Sequence, residues 1–387
     1  MDKSMSIGVI GAGTMGIGIA QMAAEAGHKV IVFDTRKDAL EKAMAGLRGL
    51  MDKLVDKQKR TRAAADELLG RISIAESLEY LAPCGLVIEA IVEDLKVKQE
   101  VFKKLDGALA ADAILATNTS SLSVTAIAAA CSHPERVIGL HFFNPAPLMP
   151  LVEVVPGLAT DPELGPECVA LMHAWGKAPV LCKDTPGFIV NRVARPFYGE
   201  SLRLYEEGVA DMPAIDAALR GVGFRMGPFE LMDLIGNDIN FAVTKSVWEA
   251  FFYEPRYKPS LTQQRQVESG RLGRKSGRGY YLYSNGAAEL GQETTEHADA
   301  IVERVLAMLI NEAADALFLR VASKVDIDLA MTKGVNYPKG LLAWADEKGA
   351  AHWLAVLESL QDRTGEERYR PSPLLREHGE KGTSFHN

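Results

Sequence analysis

The chain has 387 residues and a mass of 42.0 kDa, with 47% hydrophobic and 24% charged residues. This composition is ordinary for globular proteins and excludes a wholly disordered or collagen-like chain. No apolar run reaches the ~18 residues of a membrane-spanning helix, so we predict no membrane partner. With 43 basic and 51 acidic residues the formal net charge is −8, which argues against nucleic acid as a partner. The length predicts about two or three domains.

Cysteine usage and the first residues bear on the cellular compartment. The four cysteines are widely spaced and form no Cys-x-x-Cys pair, so neither a zinc site nor a disulfide framework is predicted. We expect no metal site and a reducing, cytoplasmic environment. The first residues run directly into a strand pattern, so we predict no signal peptide.

Short apolar runs alternate with amphipathic segments up to about residue 183. This order predicts an α/β Rossmann-type domain over 1–183, with a mostly parallel sheet covered by helices on both faces. The stretch at 38–71 is long for one crossover, so we predict a helical hairpin inserted after the second strand. The predicted strands lie at 7–10, 30–33, 86–88, 113–116, 137–140, 151–155 and 179–182, and the clearest helices at 14–26, 39–54 and 96–109.

Strand signals almost vanish after the sequence Asp184-Thr-Pro-Gly-Phe. We predict an all-helical domain over 184–288, which opens with a helix at 188–208. A stretch rich in Gly, Ala and Glu at 284–296 predicts a linker. The polar residues 371–387 contain two prolines, so we expect an extended tail there.

A weak internal repeat lies within the helical part. Ile215-Asp216 recurs as Ile327-Asp328, 112 positions further on, and each pair is followed by a turn that bears Gly and Pro. Arg192-Val193 and Arg304-Val305 match across the same interval. We interpret 298–370 as a partial second copy of the helical domain. The alternative is two unrelated helical segments that share common turn residues.

The sequence directly after the first predicted strand has the Gly-x-Gly-x-x-Gly pattern of a dinucleotide-binding turn. The first glycine permits a tight turn, the second lets the backbone approach a pyrophosphate, and the third lets the helix lie close to the strand. Asp34 ends the second predicted strand, where a carboxylate would bind the adenosine ribose and repel a 2′-phosphate. We therefore predict NAD rather than NADP, although Arg36 weakens that preference. The predicted cofactor-binding residues of the turn are Gly11, Ala12, Gly13, Thr14, Met15 and Gly16.

A histidine is the natural candidate for proton transfer in a nicotinamide-dependent oxidation. The hydroxyl proton must be removed while carbon gives up hydride, and the unperturbed pKa of histidine is the nearest to neutrality. Of the eight histidines, only His141 lies at the carboxyl end of a predicted parallel strand, where ligands bind in such sheets. The pattern alone leaves open a structural histidine at this place.

Five motifs follow one another along the chain. They are Gly-Ala-Gly-Thr-Met-Gly at 11–16, Asn-Thr-Ser-Ser-Leu at 118–122, His-Phe-Phe-Asn-Pro at 141–145, Leu-Val-Glu-Val at 151–154 and Asp-Thr-Pro-Gly-Phe-Ile-Val-Asn-Arg at 184–192. In this order they resemble the L-3-hydroxyacyl-CoA dehydrogenase family, including its 3-hydroxybutyryl-CoA dehydrogenases. The resemblance covers about residues 5–283.

The resemblance implies a role for each matching residue. His141 corresponds to the general base of the family, and Glu153 to the carboxylate that orients the imidazole and stabilises the imidazolium. Ser120 and Asn191 correspond to residues that hydrogen-bond around the reacting oxygen and the neighbouring substrate carbonyl. Further positions that the resemblance implies as NAD contacts are Glu93, Lys98, Asn118, Ser120, Asn144 and Lys275.

An acidic protein needs a local cationic patch to bind coenzyme A, which carries several negative charges. The densest basic cluster is in the predicted hairpin, and by the resemblance its Lys59 corresponds to a lysine that contacts CoA. The alternative is a solvated charged helix end. The members of the cluster are Lys53, Lys57, Lys59, Arg60 and Arg62.

Three functions remain open at this point. The first is NAD-dependent, reversible oxidation of an (S)-3-hydroxyacyl-CoA to a 3-ketoacyl-CoA, in fatty-acid degradation (β-oxidation) or the degradation of aromatic compounds. The second is the same chemistry specific for 3-hydroxyadipyl-CoA, with Arg195 or Arg225 meeting the distal carboxylate. The third is a non-catalytic, NADH-binding structural protein that resembles lens crystallins of this kind.

The repeat also bears on assembly. In short members of the family the helical domain forms the dimer interface. A second copy in one chain predicts either a pseudo-dimeric monomer, in which the copy occupies that surface, or a homodimer with a larger interface.

Overall fold

A computed structural model describes residues 4–284, 287–288 and 296–386. The chain divides into two compact units, one ending at Thr185 and one beginning at Pro186. The boundary predicted after residue 183 therefore lies two residues too early. Asp184 belongs to the first unit because its carboxylate accepts hydrogen bonds from the backbone of Val124 and Thr125, at 3.0 and 2.7 Å.

The first unit contains an eight-stranded sheet with the order β3-β2-β1-β4-β5-β6-β7-β8. All neighbouring strands are parallel except β6 and β7, which are antiparallel. This arrangement confirms the Rossmann-type fold, and every predicted strand lies within two residues of an observed one. The strands are β1 (Ser6–Ile10), β2 (Val30–Phe33), β3 (Ile72–Ile74), β4 (Cys84–Glu89), β5 (Ile114–Thr117), β6 (Val137–Phe142), β7 (Leu151–Pro156) and β8 (Ala178–Leu181).

Helices connect these strands and bury the sheet between them. The hairpin predicted at 38–71 is present as a pair of helices, α2 and α3. The three-residue strand β3 directly after it was not predicted, because one Ile-Ser-Ile triplet gives too short a pattern. The helices of this unit are α1 (Thr14–Glu25), α2 (Lys37–Asp56), α3 (Arg62–Gly70), α4 (Leu95–Ala108), α5 (Val124–Ala128) and α6 (Leu164–Ala174), with 3₁₀ turns at Leu78–Leu81 and Pro134–Arg136.

The second unit is helical in the residues described, apart from the short strand pair β9 (Tyr283–Ser284) and β10 (Ala287–Ala288). The single helix predicted at 188–208 is interrupted at Ala194, because Pro196 has no N–H to continue the ladder. The helices are α7 (Val190–Val193), α8 (Arg195–Glu206), α9 (Met212–Gly221), α10 (Pro228–Ile235), α11 (Asn237–Ala250), α12 (Leu261–Glu268), α13 (Ala298–Phe318), α14 (Lys324–Gly334), α15 (Leu341–Lys348), α16 (Ala350–Thr364) and α17 (Pro373–Lys381), with 3₁₀ turns at Pro255–Tyr257, Arg274–Ser276 and Glu367–Tyr369.

The extended tail predicted for 371–387 is wrong. Pro373 begins helix α17, where a missing N–H costs nothing, and Leu375 of that helix is fully buried. Phe385 is also buried. The linker predicted at 284–296 lies for the most part outside the described residues. In the described part of the chain, no helix is both long and apolar enough to cross a bilayer.

Two aspartates of the second unit cap a later helix in the same way. Asp216 of α9 accepts the backbone N–H groups of Phe229 and Glu230 at 2.9 and 3.1 Å, at the start of α10. Asp328 of α14 accepts those of Leu342 and Ala343 at 2.8 and 3.0 Å, at the start of α15. The residues before the capped helices are glycines at 227 and 340, since a Cβ there would lie within 2.4 Å of the aspartate side chain.

Two buried glutamates of the second unit bind arginine and tyrosine side chains from distant helices. The first, Glu200 on α8, has Arg304 Nε at 3.0 Å and the Tyr369 hydroxyl at 2.9 Å. It also has Arg368 Nε at 3.8 Å. We call this group the Glu200 cluster. Burial alone would raise the pKa of Glu200, but the nearby arginines lower it.

The second glutamate, Glu312 on α13, has matching arginine and tyrosine partners, although Asp315 stands where the first segment has Arg203, which lies 2.8 Å from Glu200. Arg192 Nε lies at 2.6 Å, the Tyr257 hydroxyl at 2.5 Å and Arg256 Nη1 at 3.6 Å from its carboxylate. We call this group the Glu312 cluster. Here too burial acts to raise the pKa of the glutamate, and Arg192 and Arg256 lower it. Each member of one cluster has its counterpart in the other at an interval of 112 positions.

Candidate active site

The turn between β1 and α1 has the geometry that a dinucleotide pyrophosphate requires. Gly11 has a φ of +102°, which favours glycine, and a Cβ there would lie 2.4 Å from the backbone oxygen of Ala90. A Cβ at Gly16 would lie 1.8 Å from the backbone oxygen of Gly11. Gly13, in contrast, faces open space, with nothing within 4 Å of a Cβ. The two tight glycines shape the turn, and the third leaves room for a phosphate at the N-terminus of α1.

A cavity of about 810 Å³ continues from this turn along the carboxyl ends of β1 and β2. Asp34 lines it, and its carboxylate is fixed by the backbone N–H groups of Ala12 at 2.8 Å and Arg36 at 2.9 Å. A carboxylate held in this way can accept hydrogen bonds from a ribose. The glycine turn, the cavity and Asp34 together fit the adenosine half of NAD.

His141 lies on β6 beside Glu153 on β7, and the antiparallel register pairs these two residues directly. Because directly paired residues share one face of the sheet, their side chains meet. His141 Nδ1 lies 2.7 Å from Glu153 Oε2, with the histidine 6% exposed and the glutamate fully buried. A carboxylate only accepts, so Nδ1 carries the proton of this hydrogen bond. In the neutral imidazole the lone pair then lies on Nε2, the nitrogen that can accept a proton.

The loop after β5 is held by another carboxylate, that of Glu93. Its Oε1 accepts hydrogen bonds from the Thr119 hydroxyl at 2.7 Å and from the backbone of Ser120 and Ser121 at 2.8 and 3.1 Å. Burial acts to raise the pKa of Glu93, but the Lys98 charge and these hydrogen bonds lower it. Glu93 therefore orders the loop as an anion.

Asn118, at the start of the same loop, connects the ends of two strands. Its side-chain oxygen accepts the backbone N–H of Phe142 at 2.8 Å, next to His141. The structure thus brings Glu93, Asn118, Ser120 and His141 to the carboxyl edge of β4, β5 and β6. A histidine paired with a buried carboxylate and a dinucleotide turn on one sheet fit the arrangement of a dehydrogenase.

Comparison with known proteins agrees with this geometry. The model of the 3-hydroxyacyl-CoA dehydrogenase NAD-binding domain matches residues 6–185. The model of the C-terminal domain of the same family matches twice, over 187–283 and 301–384. We call these two stretches the first and the second matched segment.

The chain belongs to the 3-hydroxyacyl-CoA dehydrogenase family. As a member of this family it is an NAD-dependent oxidoreductase that acts on 3-hydroxyacyl-CoA. It is 42% identical to an Escherichia coli K12 protein named 3-hydroxyadipyl-CoA dehydrogenase, over 97% of this chain and 98% of that one. It is 43% identical to the human mitochondrial hydroxyacyl-coenzyme A dehydrogenase, over 71% of this chain and 90% of that one.

A solved structure covers the same length. The crystal structure of a protein named 3-hydroxybutyryl-CoA dehydrogenase from Escherichia coli K12 is 41% identical, with a TM-score of 0.91. It covers 98% of this chain, and this chain covers 99% of it. The similarity therefore includes the second matched segment, whereas the human relative corresponds to 71% of the chain.

The other residues to which the family resemblance gives a role occupy different surroundings. Asn144 is exposed in the loop after β6, and Lys98 is 1% exposed on α4. Asn191 and Lys275 belong to the second unit. Asn191 is half-buried in α7, and Lys275 Nζ lies 2.6 Å from Asp238 Oδ1.

The basic cluster of the hairpin is smaller than predicted. Arg60 is paired with Glu25, and Arg62 lies 2.7 Å from Asp52. The three lysines of the cluster are exposed and form no ion pair in the described part of the chain. They are Lys53, Lys57 and Lys59 at the end of α2 and in the turn that follows.

One buried residue of this edge was missed by sequence reasoning. Glu89 ends β4 and is fully buried, with its carboxylate 2.6 Å from Lys98 Nζ. The signal was present, since Glu89 is the single charged residue of an apolar strand and stands at its carboxyl end. Over residues 4–284, 287–288 and 296–386, no three His, Cys, Asp or Glu side chains are grouped so as to hold a metal ion.

Proposed function

We propose that His141 is the general base for the hydroxyl proton of an (S)-3-hydroxyacyl-CoA and returns that proton in the reverse direction. The observation that supports it is the 2.7 Å contact between His141 Nδ1 and the buried Glu153 carboxylate. This contact directs Nε2 away from Glu153 and stabilises the imidazolium once it has formed. Bound NAD supplies the hydride acceptor. Ser120 and Asn191 position the oxygens of the substrate.

The test replaces His141 by Gln and follows NADH absorbance at 340 nm with acetoacetyl-CoA. We expect kcat to fall at least ~100-fold, with NADH binding retained, because general-base catalysis is lost. His133→Gln is a matched control, since His133 lies 3.2 Å from Glu135 in an exposed pair. Near-normal turnover of His141→Gln would contradict the assignment.

The exposed lysines of the hairpin are proposed to contact the phosphates of CoA. Exposed ion pairs contribute roughly 0.2–1 kcal/mol each. Lys59→Gln should therefore raise the KM for acetoacetyl-CoA by about 2–5-fold and leave kcat unchanged. Arg62→Gln is the control, because Arg62 is already paired with Asp52. An unchanged KM for Lys59→Gln would exclude Lys59 from the CoA site.

A distal carboxylate on the substrate is the finer proposal, and Arg225 is the candidate residue to bind it. Arg195 is unsuitable because it is 7% exposed and donates to the Thr244 hydroxyl at 3.1 Å. Arg225 is exposed at a cavity of about 400 Å³ whose other lining is mainly apolar, including Phe224, Leu231 and Tyr337. An apolar cavity with one guanidinium suits a methylene chain that ends in a carboxylate. The name of the Escherichia coli relative supports the same substrate class.

The measurement is the ratio of kcat/KM for 3-ketoadipyl-CoA to that for acetoacetyl-CoA. We expect Arg225→Met to lower this ratio roughly 10-fold, because a charge-assisted hydrogen bond is lost. Arg220→Met is the matched control, since Arg220 lies 2.6 Å from Glu230 in the same region. An unchanged ratio would exclude Arg225 from recognition of the substrate.

We also propose that the second matched segment is a duplicate of the first and takes the place of a partner subunit. The two glutamate clusters support this, because each joins a glutamate of one segment to arginines and a tyrosine of the other. In a two-fold symmetric interface, residue i contacts j and residue j contacts i. The pairs Arg304–Glu200 and Arg192–Glu312 have this relation. Light scattering after size exclusion should give a single 42.0 kDa species, and a stable dimer would contradict the proposal.

A reducing, cytoplasmic compartment is proposed from the cysteines. Cys84, Cys131, Cys168 and Cys182 form no disulfide with one another. Burial raises the pKa of Cys84 to about 11 and that of Cys168 to about 12, which keeps both as unreactive thiols. Fractionation of the native host cells would test the compartment.

A further inference from the structure

Both oxygens of the buried Glu89 carboxylate accept hydrogen bonds. Its Oε1 accepts the backbone N–H of Ile91 at 2.7 Å and lies 2.6 Å from Lys98 Nζ. Its Oε2 accepts the Thr117 hydroxyl at 2.7 Å, across from β4 to β5. A buried carboxylate is tolerated because all these donors are directed to it. Glu89 thus connects the ends of two strands with helix α4.

Lys98 connects Glu89 to a second carboxylate, that of Glu93. Its ammonium is 1% exposed and lies between two carboxylates, with Glu89 Oε1 at 2.6 Å and Glu93 Oε2 at 3.3 Å. The other oxygen of Glu93 receives the donors of the loop that contains Ser120. The order of contacts is therefore Glu89 to Lys98, Lys98 to Glu93, and Glu93 to the Ser120 loop.

We propose that Glu89 is a positioning residue, which acts through Lys98 and Glu93 to fix the place of Ser120. The inference rests on the proposed role of Ser120 at the reacting oxygen. With Glu89 in place, Lys98 is held against the sheet and directs Glu93 toward the loop. Lys98, to which the resemblance gives a direct NAD contact, has the same positioning role, because both of its contacts are to carboxylates within the protein.

Another ion pair of the first unit provides a control for the effect of burying charge. Arg136 and Asp106 form a buried pair at 2.8 Å in the same unit, with side chains 7% and 6% exposed. Arg136 directly precedes β6, so this pair lies at the amino end of a strand whose carboxyl end bears His141. It offers a control ion pair of low exposure that lies outside the chain of contacts to Ser120.

The experiment is a double-mutant cycle on Glu89→Gln and Lys98→Met, with melting temperature, kcat and NADH affinity measured for each variant. Lys98→Met leaves the fully buried Glu89 without its cation, and Glu89→Gln leaves Lys98 with Glu93 alone at 3.3 Å, so both should melt roughly 5–15 °C lower than wild type. The double variant removes the buried pair at similar volume and leaves only Glu93, which is 35% exposed, so its melting temperature should recover most of that loss.

Activity separates positioning from stability in this cycle. We expect kcat of the double variant to remain about 10–100-fold low, because a displaced catalytic loop costs rate even in a stable fold. NADH affinity, measured by fluorescence titration, should stay within about 2-fold of wild type in all three variants. Recovery of kcat together with the melting temperature would overturn the proposal, since a merely structural pair predicts that result. A large loss of NADH affinity on Lys98→Met would overturn it in favour of direct cofactor contact.

Two further variants complete the design. Arg136→Met with Asp106→Asn should change the melting temperature and leave kcat unchanged. Ser120→Ala tests the underlying assumption separately. If Ser120→Ala has no effect on kcat, the proposed role of Ser120 fails. If Ser120→Ala lowers kcat and the Glu89 cycle does not, the positioning role alone fails.

Discussion

The two matched segments of the second unit share their scaffold but differ in the residues that would take part in chemistry. Ile189-Val190-Asn191-Arg192-Val193 in the first corresponds to Ile301-Val302-Glu303-Arg304-Val305 in the second. The arginine is kept, and in each segment it binds the buried glutamate of the other. The asparagine to which the family resemblance gives a substrate role is replaced by Glu303. The comparison indicates that packing constrains both segments; on the proposed role of Asn191, catalysis would constrain the first alone.

A second difference shows that one structural task can be done by two side chains. The Tyr281 hydroxyl donates to Asp216 at 2.8 Å near the end of the first segment. Two residues after the second segment, His386 Nε2 lies 2.9 Å from Asp328. In both cases a late residue closes the segment onto its early helix-capping aspartate, so what the fold retains is the polar contact and its place.

The largest expected effect tests the equivalence of the two glutamate clusters. Arg192→Met leaves Glu312 with Arg256 at 3.6 Å as its nearest remaining arginine, so it should lower the free energy of unfolding by about 3–5 kcal/mol. Arg304→Met should also destabilise the fold, but by less, because Glu200 keeps Arg203 at 2.8 Å. Urea denaturation at pH 7 measures both. If one variant were strongly destabilised and the other unaffected, the two segments would not be equivalent in packing.

The next effect tests the difference in chemistry between the segments. Asn191→Ala should lower kcat/KM about 100-fold, or ~2.7 kcal/mol, because one hydrogen-bond donor at the reacting centre is lost. Glu303→Ala removes the side chain at the matching position, which contacts His352 at 2.9 Å, and should leave kcat/KM unchanged. Steady-state rates with acetoacetyl-CoA measure both variants. A comparable loss for Glu303→Ala would remove the distinction between the segments.

A smaller effect concerns the glycines before the two capped helices. Gly227→Ala and Gly340→Ala would place a Cβ 2.3 and 2.2 Å from the side chains of Asp216 and Asp328. Each should lower the free energy of unfolding by about 1–3 kcal/mol through overpacking. Gly221→Ala, with open space around its Cβ, is the control and should cause no loss. Thermal denaturation measures all three variants. An unchanged melting temperature for Gly227→Ala or Gly340→Ala would show that the segment concerned does not need glycine at this position.

The smallest expected effect is a dependence of stability on acid. Glu200 and Glu312 have pKa values below the ordinary 4.5, because arginines outweigh their burial. A lowered folded pKa means that their stabilisation is complete above about pH 4.5 and is lost as pH falls through the folded value. Each carboxyl contributes up to about 1.4 kcal/mol per unit of pKa difference. Melting temperatures at pH 3–6 should fall less steeply for the two arginine variants than for wild type.

How much the sequence could predict differs between local and distant contacts. The dinucleotide turn and the strand that carries His141 were predictable, because each depends on a short pattern with a known geometry. The tail was not, because its order depends on contacts far along the chain. The backbone N–H groups of Phe385 and His386 donate to Asp346 at 2.7 and 3.0 Å, and two nearby prolines gave the opposite local signal.

The candidate site shows the same limit. His141 and Glu153 were identified through motifs, and their direct pairing then followed from the antiparallel register of β6 and β7. Glu89 was missed because its contact with Lys98 depends on how α4 packs against β4. The pattern of apolar residues in the sequence does not contain that information. The interruption at Ala194 was predictable in principle from Pro196 but was hidden by a strong apolar pattern on both sides.

The exchange of partners between Glu200 and Glu312 has an evolutionary consequence within the proposed duplication. In a symmetric dimer encoded by one gene, every mutation appears on both sides of the interface at once. With both sides encoded separately in one chain, selection can alter one and retain the other. Asn191 and Glu303, which stand at matching positions of the two segments, are a difference of this kind. Such a chain is free to change the residues of one copy while both copies keep their buried contacts.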